Sequence, residues 1–399
     1  MNNTIKLAVA SALLAAASTA SAAGGIVAGD WTIDIGGNVN EFVIYNSSKD
    51  SNVVDGGLAN TRNANGSKAS VAMNTGLLPS WLGFTGKTRQ NDLDVEFAIS
   101  LQPGGSTTQS LDGGGVTENR QAYISFGDKS WGTILIGKNL GEFGRDAILL
   151  DQTLLGVGSQ GTGAGLAGGS TTTLGRIGTG YLYADFQGQA NYTTPNMNGF
   201  QAVVGLVQPV VTKNLGTSLS TSSTQNNMAY EAKGSYSFAG DVAGKVWAEV
   251  KTQKVDYTAA INNTATAFGV GANVNAAGFG LVAYYYDAKG VGTTAWLMDG
   301  VSSTGAKRDS DGGYVQGSYT LPGVGTKLAA SWGESNLDLA NGEVNATLVK
   351  KNEMLTVGAY HPLTKHLNLV AEYSNVQATN QAGAKNESDI ISAGAILFF

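Results

Sequence analysis

The chain has 399 residues, 56 glycines, no cysteine, 14% charged residues and a formal net charge of -6. The lack of cysteine excludes disulfide bonds, thiol catalysis and cysteine-ligated metals, and the negative charge disfavours nucleic acid as a partner. No Pro-rich or charge-rich linker divides the sequence. A single large domain over residues 23–399 is therefore a simpler prediction than several soluble domains.

Residues 1–22 predict a cleaved secretory signal peptide. Lys6 precedes a short apolar run at residues 7–17, and Ala20 and Ala22 form the small-residue cleavage pattern. The run is too short to span a bilayer as a helix, and no later segment is apolar for long enough. An exported chain of this kind is either soluble or crosses a membrane as a closed β-barrel, because lipid satisfies no backbone hydrogen bonds.

Several segments alternate apolar and polar residues with the period of two that is typical of strands. The first, residues 31–45, is apolar on one face except at Glu41, and residues 93–101 alternate most cleanly. The same pattern recurs at residues 228–238, 242–251 and 365–375. One apolar and one polar face predict a barrel with lipid outside and water inside.

Short turns and long polar stretches alternate along the chain. Short turns are predicted at residues 87–92, 127–132, 196–199, 239–241, 275–278, 322–326 and 362–365. Long loops are predicted at residues 46–76, 102–118, 139–186, 208–227, 253–264, 288–312, 337–349 and 376–387. This order predicts an all-β, antiparallel up-and-down barrel of about sixteen strands, with turns on the periplasmic rim and loops outside.

The last twelve residues, SDIISAGAILFF, predict a strand that ends at the carboxyl terminus. Ile391, Ala393, Ala395 and Leu397 are all apolar and share one face. In isolation, a buried strand of a soluble sandwich looks similar. The segment resembles the closing strand of Gram-negative outer-membrane proteins, and this resemblance implies that Phe399 is an assembly signal for the barrel-assembly machinery.

Three further segments resemble the Gram-negative general porins, the trimeric sixteen-stranded outer-membrane porins of β-proteobacterial type. They are SWLGFTG at residues 80–86, NRQAYISF followed by WGTILIGK at residues 119–138, and YTTPNMNGF at residues 192–200. The resemblance implies a homotrimer in outer-membrane lipid and a water-filled channel for passive diffusion of small hydrophilic solutes and ions. Trp81 and Lys138 depart from the usual family residues, and residues 156–180 are unusually rich in Gly and Thr.

The resemblance also implies that the third extracellular loop folds inward and narrows the channel. Acidic residues on that loop, facing basic residues on the wall, would set a transverse field that filters solutes by charge. The predicted loop residues are Glu142, Asp146 and Asp151, and the predicted wall residues are Arg120, Lys138 and Lys87.

The sequence predicts no catalytic, cofactor or metal site. Gly161, Gly163 and Gly165 lack the context of a phosphate-binding loop. His361 and His366 flank a predicted turn without a third ligand or a nucleophile beside them. The alternatives to a general pore are an exported soluble β-rich adhesin or glycan-binding protein, and a substrate-specific barrel channel. Aromatic girdles are predicted from Tyr45, Trp131, Tyr360, Tyr373 and Phe399.

Overall fold

The computed structural model describes residues 25–103, 117–160, 172–211 and 219–399. The predicted signal peptide and the motif of Gly161, Gly163 and Gly165 lie outside these residues. Within the described ranges the chain forms one eighteen-stranded antiparallel sheet, and sixteen of its strands close into a barrel. The predicted fold class and strand number are therefore confirmed. No helix of the described residues is long and apolar enough to cross a membrane.

The strands follow one another around the barrel in chain order, apart from the short β1 and β3. They are β1 (Ile26–Ala28), β2 (Trp31–Ser48), β3 (Ala69–Asn74), β4 (Trp81–Gln90), β5 (Leu93–Pro103), β6 (Thr117–Asp128), β7 (Gly132–Leu140), β8 (Phe186–Thr193), β9 (Phe200–Val207), β10 (Ala229–Phe238), β11 (Val242–Asp256), β12 (Asn262–Ala276), β13 (Phe279–Lys289), β14 (Asp309–Thr320), β15 (Lys327–Leu337), β16 (Val349–Pro362), β17 (Leu367–Asn380) and β18 (Lys385–Phe398).

The carboxyl-terminal strand closes the barrel, as its sequence predicts. β18 pairs with β2 from Ser388, opposite Ser48, down to Phe398, opposite Asn38. Beyond that pair, Phe399 and Gly37 exchange backbone hydrogen bonds of 3.0 and 3.1 Å. The last residue is thus part of the seam between first and last strands. Its role as an assembly signal stays a prediction.

The barrel wall alternates between an apolar outer face and a largely polar inner face. On β2, Val39 and Val43 are 60% and 57% exposed on the outer face, whereas Asn38 and Asn40 are buried on the inner face. Exposed apolar side chains arranged over a whole surface are typical of a membrane-facing wall. Tyr360 is an exception to the predicted girdle, because it points inward and its hydroxyl donates to Glu372 at 2.6 Å.

The connections alternate between short and long, with two corrections. Asn91 and Asp92 both have positive φ, 48° and 61°, as a two-residue hairpin turn requires. Of the predicted long loops, 253–264 and 376–387 are mostly strand, and only residues 257–261 and 381–384 connect the strands there. The prediction was wrong at these loops because polar residues continue the backbone ladder above the apolar part of the wall.

Candidate functional site: the loop inside the barrel

The described parts of the third loop, residues 141–160 and 172–185, lie inside the barrel, and the first of them follows the end of β7. This first part contains α1 (Arg145–Leu150), which starts after Gly144 in a left-handed conformation with φ 78°, followed by a 3-10 turn, Gln152–Leu155. Phe143, Ala147 and Ile148 are buried in the barrel interior. The predicted inward fold of this loop is confirmed.

Carboxylates on the inner wall hold this loop by its backbone. Each accepts hydrogen bonds from loop N–H groups that have no backbone partner among the described residues. The bonds run from Glu142 N to Glu231 on β10 at 2.6 Å, from Gly144 N to Glu249 on β11 at 2.9 Å, and from Val157 N and Gly158 N to Glu372 on β17 at 2.7 and 3.1 Å.

Side-chain ion pairs bind the same loop to two wall lysines. Glu142 lies 2.7 Å from Lys233 on β10 and 3.1 Å from Arg145 of the loop. Asp146 lies 3.1 Å from Lys233 and 2.5 Å from Lys245 on β11. We call these five residues the loop clamp. The sequence pattern placed Lys233 and Lys245 on the polar faces of their strands, but it did not identify them as partners of the loop.

The loop clamp keeps its two carboxyl groups ionised. Burial alone would raise the pKa of Glu142, but Arg145 and Lys233 outweigh it, and the pKa lies below its ordinary value. Burial acts in the same way on Asp146, where Lys233 and Lys245 outweigh it and lower the pKa. These acids therefore neutralise wall lysines in direct contact rather than facing basic residues across open water.

Asp151, the third predicted loop acid, lies inside the loop. Its side chain is fully buried, with Arg176 at 3.9 Å and the hydroxyl of Tyr181 donating at 2.9 Å. Arg176 also donates to the carbonyl of Met354 on β16 at 2.9 Å. Asp151 therefore ties the loop to itself and, through Arg176, to the wall.

The loop between β13 and β14 also folds inward, which the sequence reasoning missed. Trp296 and Leu297 are buried, and the ring of Trp296 lies edge-on to Phe143, with the centroids 6.2 Å apart. The carbonyl of Thr294 accepts a hydrogen bond of 2.9 Å from Tyr183 N. The apolar run Trp296-Leu-Met298 within an otherwise polar stretch was the available signal.

Lys87 lies on the inner face of β4, across the barrel from the loop clamp. Its ammonium is 3.5 Å from Glu96, and beside it Arg89 bridges Asp94 at 2.7 Å and Asp128 at 3.0 Å. These five residues, which we call the mouth cluster, line a cavity of about 770 Å³ near the turns that join β4 to β5 and β6 to β7. The structure therefore places Lys87 at the periplasmic mouth and not beside the third loop acids.

Arg120 and Lys138 take positions that differ from the predicted constriction. Arg120 pairs with Glu118 at 2.8 Å, and its guanidinium lies over the ring of Phe186, 5.5 Å from the centroid. Lys138 alternates with the buried Asn139 and shares the exposed face of β7 with Ile136. Lys138 therefore lies on the outer surface, because successive strand residues point to opposite faces.

Within the described residues, no group of three His, Cys, Asp or Glu side chains could hold a metal ion. His361 instead contacts Thr326, with its Nδ1 2.9 Å from Oγ1.

Comparisons with known proteins agree with this architecture. A family model described as Gram-negative porin matches residues 8–381. No curated protein matches the sequence significantly. The solved outer membrane channel DcaP of Acinetobacter baumannii is similar, with a TM-score of 0.71 and 18% identity over 94% of this chain and 100% of that chain.

Two other solved structures share the fold at greater distance. OmpF of Salmonella typhi in complex with daunomycin has a TM-score of 0.59 and 15% identity, covering 94% of this chain and 99% of that chain. Outer-membrane expressed OmpT of Vibrio cholerae has a TM-score of 0.57 and 15% identity with the same coverage, 94% and 99%.

Proposed function

Because the chain belongs to the Gram-negative porin family and is thus an outer-membrane channel for passive diffusion, we propose that its solutes pass between α1 and the wall formed by β4 to β6. We call this the open wall, and we call β10 to β17 the loop-bearing wall. The observation that carries the proposal is the loop clamp, which fixes α1 against the loop-bearing wall and leaves the opposite side for water.

Arg145 is the proposed charge at the narrowest point. It extends from the first turn of α1, and its side chain is 24% exposed. Its guanidinium donates to the carbonyls of Leu140 and Gly141, where β7 ends and the third loop begins. Glu142 and Asp146 are less exposed, at 8% and 12%, because they contact the lysines. At the constriction, small hydrophilic solutes therefore meet the guanidinium of Arg145, while Glu142 and Asp146 behind it are neutralised by lysines.

The test is a reversal potential measured across a salt gradient in a planar bilayer. Replacing Arg145 with Gln should shift the selectivity toward cations, most clearly at low salt, because the Debye length is about 10 Å at 0.1 M and shorter above it. Lys351, in an ion pair on the extracellular part of the wall, gives a matched control as K351Q. An unchanged reversal potential in R145Q at low salt contradicts the placement of Arg145 at the constriction.

The proposed assembly is a homotrimer in outer-membrane lipid. One solved relative of the fold, in-vitro folded OmpT of Vibrio cholerae, is described in a trimer form, with a TM-score of 0.55, 15% identity and coverage of 92% and 99%. Light scattering of the detergent-extracted protein measures the mass of the assembly directly, and a monomer mass would reject the trimer.

A substrate-specific channel is the second candidate. Two loops pack into the barrel, and their apolar residues Phe143, Tyr181 and Trp296 fill space that a wide general pore would leave to water. Concentration-dependent block of single-channel current by one solute class would favour this candidate. We further infer that the protein is not an enzyme, because its family and fold are those of a channel.

A further inference from the structure

Two charged side chains lie on the outer surface of the barrel among apolar residues. Glu41 is on the outer face of β2 between Val39 and Val43, and the neighbouring strand places Ala395 opposite it. In the described part of the chain no hydrogen bond or ion pair is formed by the Glu41 carboxylate. A lipid-facing carboxylate without a partner is unfavourable.

Lys138 is the second of these charges. It is exposed on the outer face of β7, two residues from Ile136, and its strand neighbours are Ala122 and Gly188. Its ammonium donates to the carbonyl of Asn119 at 2.7 Å, which leaves other donors of the ammonium free to bond. The small residues beside these charges, Ala395 next to Glu41 and Ala122 and Gly188 next to Lys138, would allow the backbone of another protein chain to approach closely.

Other charges on the outer face differ in height and in partners. Lys351 pairs with Glu353 at 2.6 Å, and Lys289 pairs with Asp309 at 3.1 Å, at the extracellular ends of their strands. Such exposed pairs are ordinary rim features. Glu41 lies instead four residues below Tyr45, inside the apolar part of the wall.

Glu41 and Lys138 cannot pair within one chain. From β2 to β7 there are four strand steps around the barrel, through β4, β5 and β6. At a strand spacing of about 4.8 Å, this separates the two charges by roughly 20 Å along the wall. The two charges are complementary, but only between different copies of the chain.

We propose that Glu41 of one copy pairs with Lys138 of the next copy around the homotrimer. This inference rests on the proposed homotrimer and names the surfaces that form it. The contact is head-to-tail, because it joins two different faces of the same chain, and such contacts close into a ring when the rotation is right. Each protomer then removes one carboxylate and one ammonium from lipid.

Chemical cross-linking tests the pairing, because the chain contains no cysteine of its own. The E41C/K138C variant, treated with a short bis-maleimide, should give a covalent trimer on a denaturing gel. E41C alone and K138C alone should give only monomer. E41C/K254C is a matched control, because Lys254 lies on β11 at the opposite side of the barrel.

Charge reversal gives a second readout. E41K and K138E should each lower the temperature at which the trimer dissociates in detergent, and E41K/K138E should restore it. The shift of the heated barrel on a gel verifies that each variant is folded.

The outcomes separate this inference from the trimer proposal. A wild-type monomer overturns the homotrimer, and the pairing with it. A wild-type trimer that shows neither cross-linking in E41C/K138C nor rescue in the double reversal overturns the pairing alone.

Discussion

The loop-bearing wall and the open wall carry the same types of charged residue but use them differently. On the loop-bearing wall, Glu231, Glu249, Lys233 and Lys245 are directed at the third loop, and most of them are buried by it. On the open wall, Arg89, Asp94 and Asp128 pair with one another across neighbouring hairpins and remain in contact with water.

The difference shows that burial decides what a charge does in this barrel. A buried ion pair is costly to break, because removal of one partner leaves the other desolvated and unpaired. An exposed pair contributes little, because water and salt screen it. The loop-bearing wall should therefore govern the shape of the channel, and the open wall should make only a small contribution to its charge preference.

The largest expected effect follows from replacing Lys233 with Met. This change removes the cation shared by Glu142 and Asp146, and breaking a buried pair in this way costs about 3–5 kcal/mol. The third loop should then leave the wall, which raises single-channel conductance and open-channel noise. K351M at the exposed extracellular pair is the matched control. Unchanged conductance and noise in a folded K233M variant would contradict the clamp.

A smaller effect is expected for Glu372, which accepts bonds from Val157 N, Gly158 N and Tyr360. E372Q removes the negative charge and keeps one oxygen acceptor, so the loop should lose about 1–3 kcal/mol of local stability. Limited proteolysis within residues 156–180 should become faster than in the wild type, while E353Q should leave it unchanged. Equal cleavage rates in the two variants would show that Glu372 does not hold the loop.

The pH dependence of the channel should follow the loop clamp. The pKa values of Glu142 and Asp146 are lowered, so their contribution is complete above the ordinary carboxyl pKa and disappears as the pH falls through the lowered values. Loss of the ion pairs of the loop clamp should therefore raise open-channel noise only below about pH 4. A rise in noise near pH 6 would indicate that another group controls the loop.

The smallest effect is expected at the mouth cluster. Arg89 bridges two carboxylates in water, so R89Q should leave the thermal unfolding of the barrel unchanged. It should move the reversal potential slightly toward cations at low salt, and less than R145Q does. A shift larger than that of R145Q would place the narrowest point at the periplasmic mouth instead of at α1.

Much of the fold could be predicted because strand alternation and turn residues are local properties of a barrel wall. The segment at residues 93–101 is an example, since its apolar face is the outer face of β5. The conformation of the loops was harder to predict from sequence. Stretches of similar polar composition continue the strands β11 and β17 but form an inward-folded loop after β13. The family resemblance implied that Lys138 lines the channel. Strand alternation alone places it on the outer face of β7, because it lies two residues from the exposed Ile136.

The sequence by itself determined the sixteen-stranded barrel, its closure at Phe399 and an inward third loop, because each follows from periodicity along the chain or from resemblance to a family. Only the tertiary structure decided which charges meet. Lys233 and Glu142 are far apart in sequence and lie 2.7 Å apart because strand order and shear bring β10 to the side on which the loop descends. The constriction is therefore a property of the closed barrel and not of any one segment.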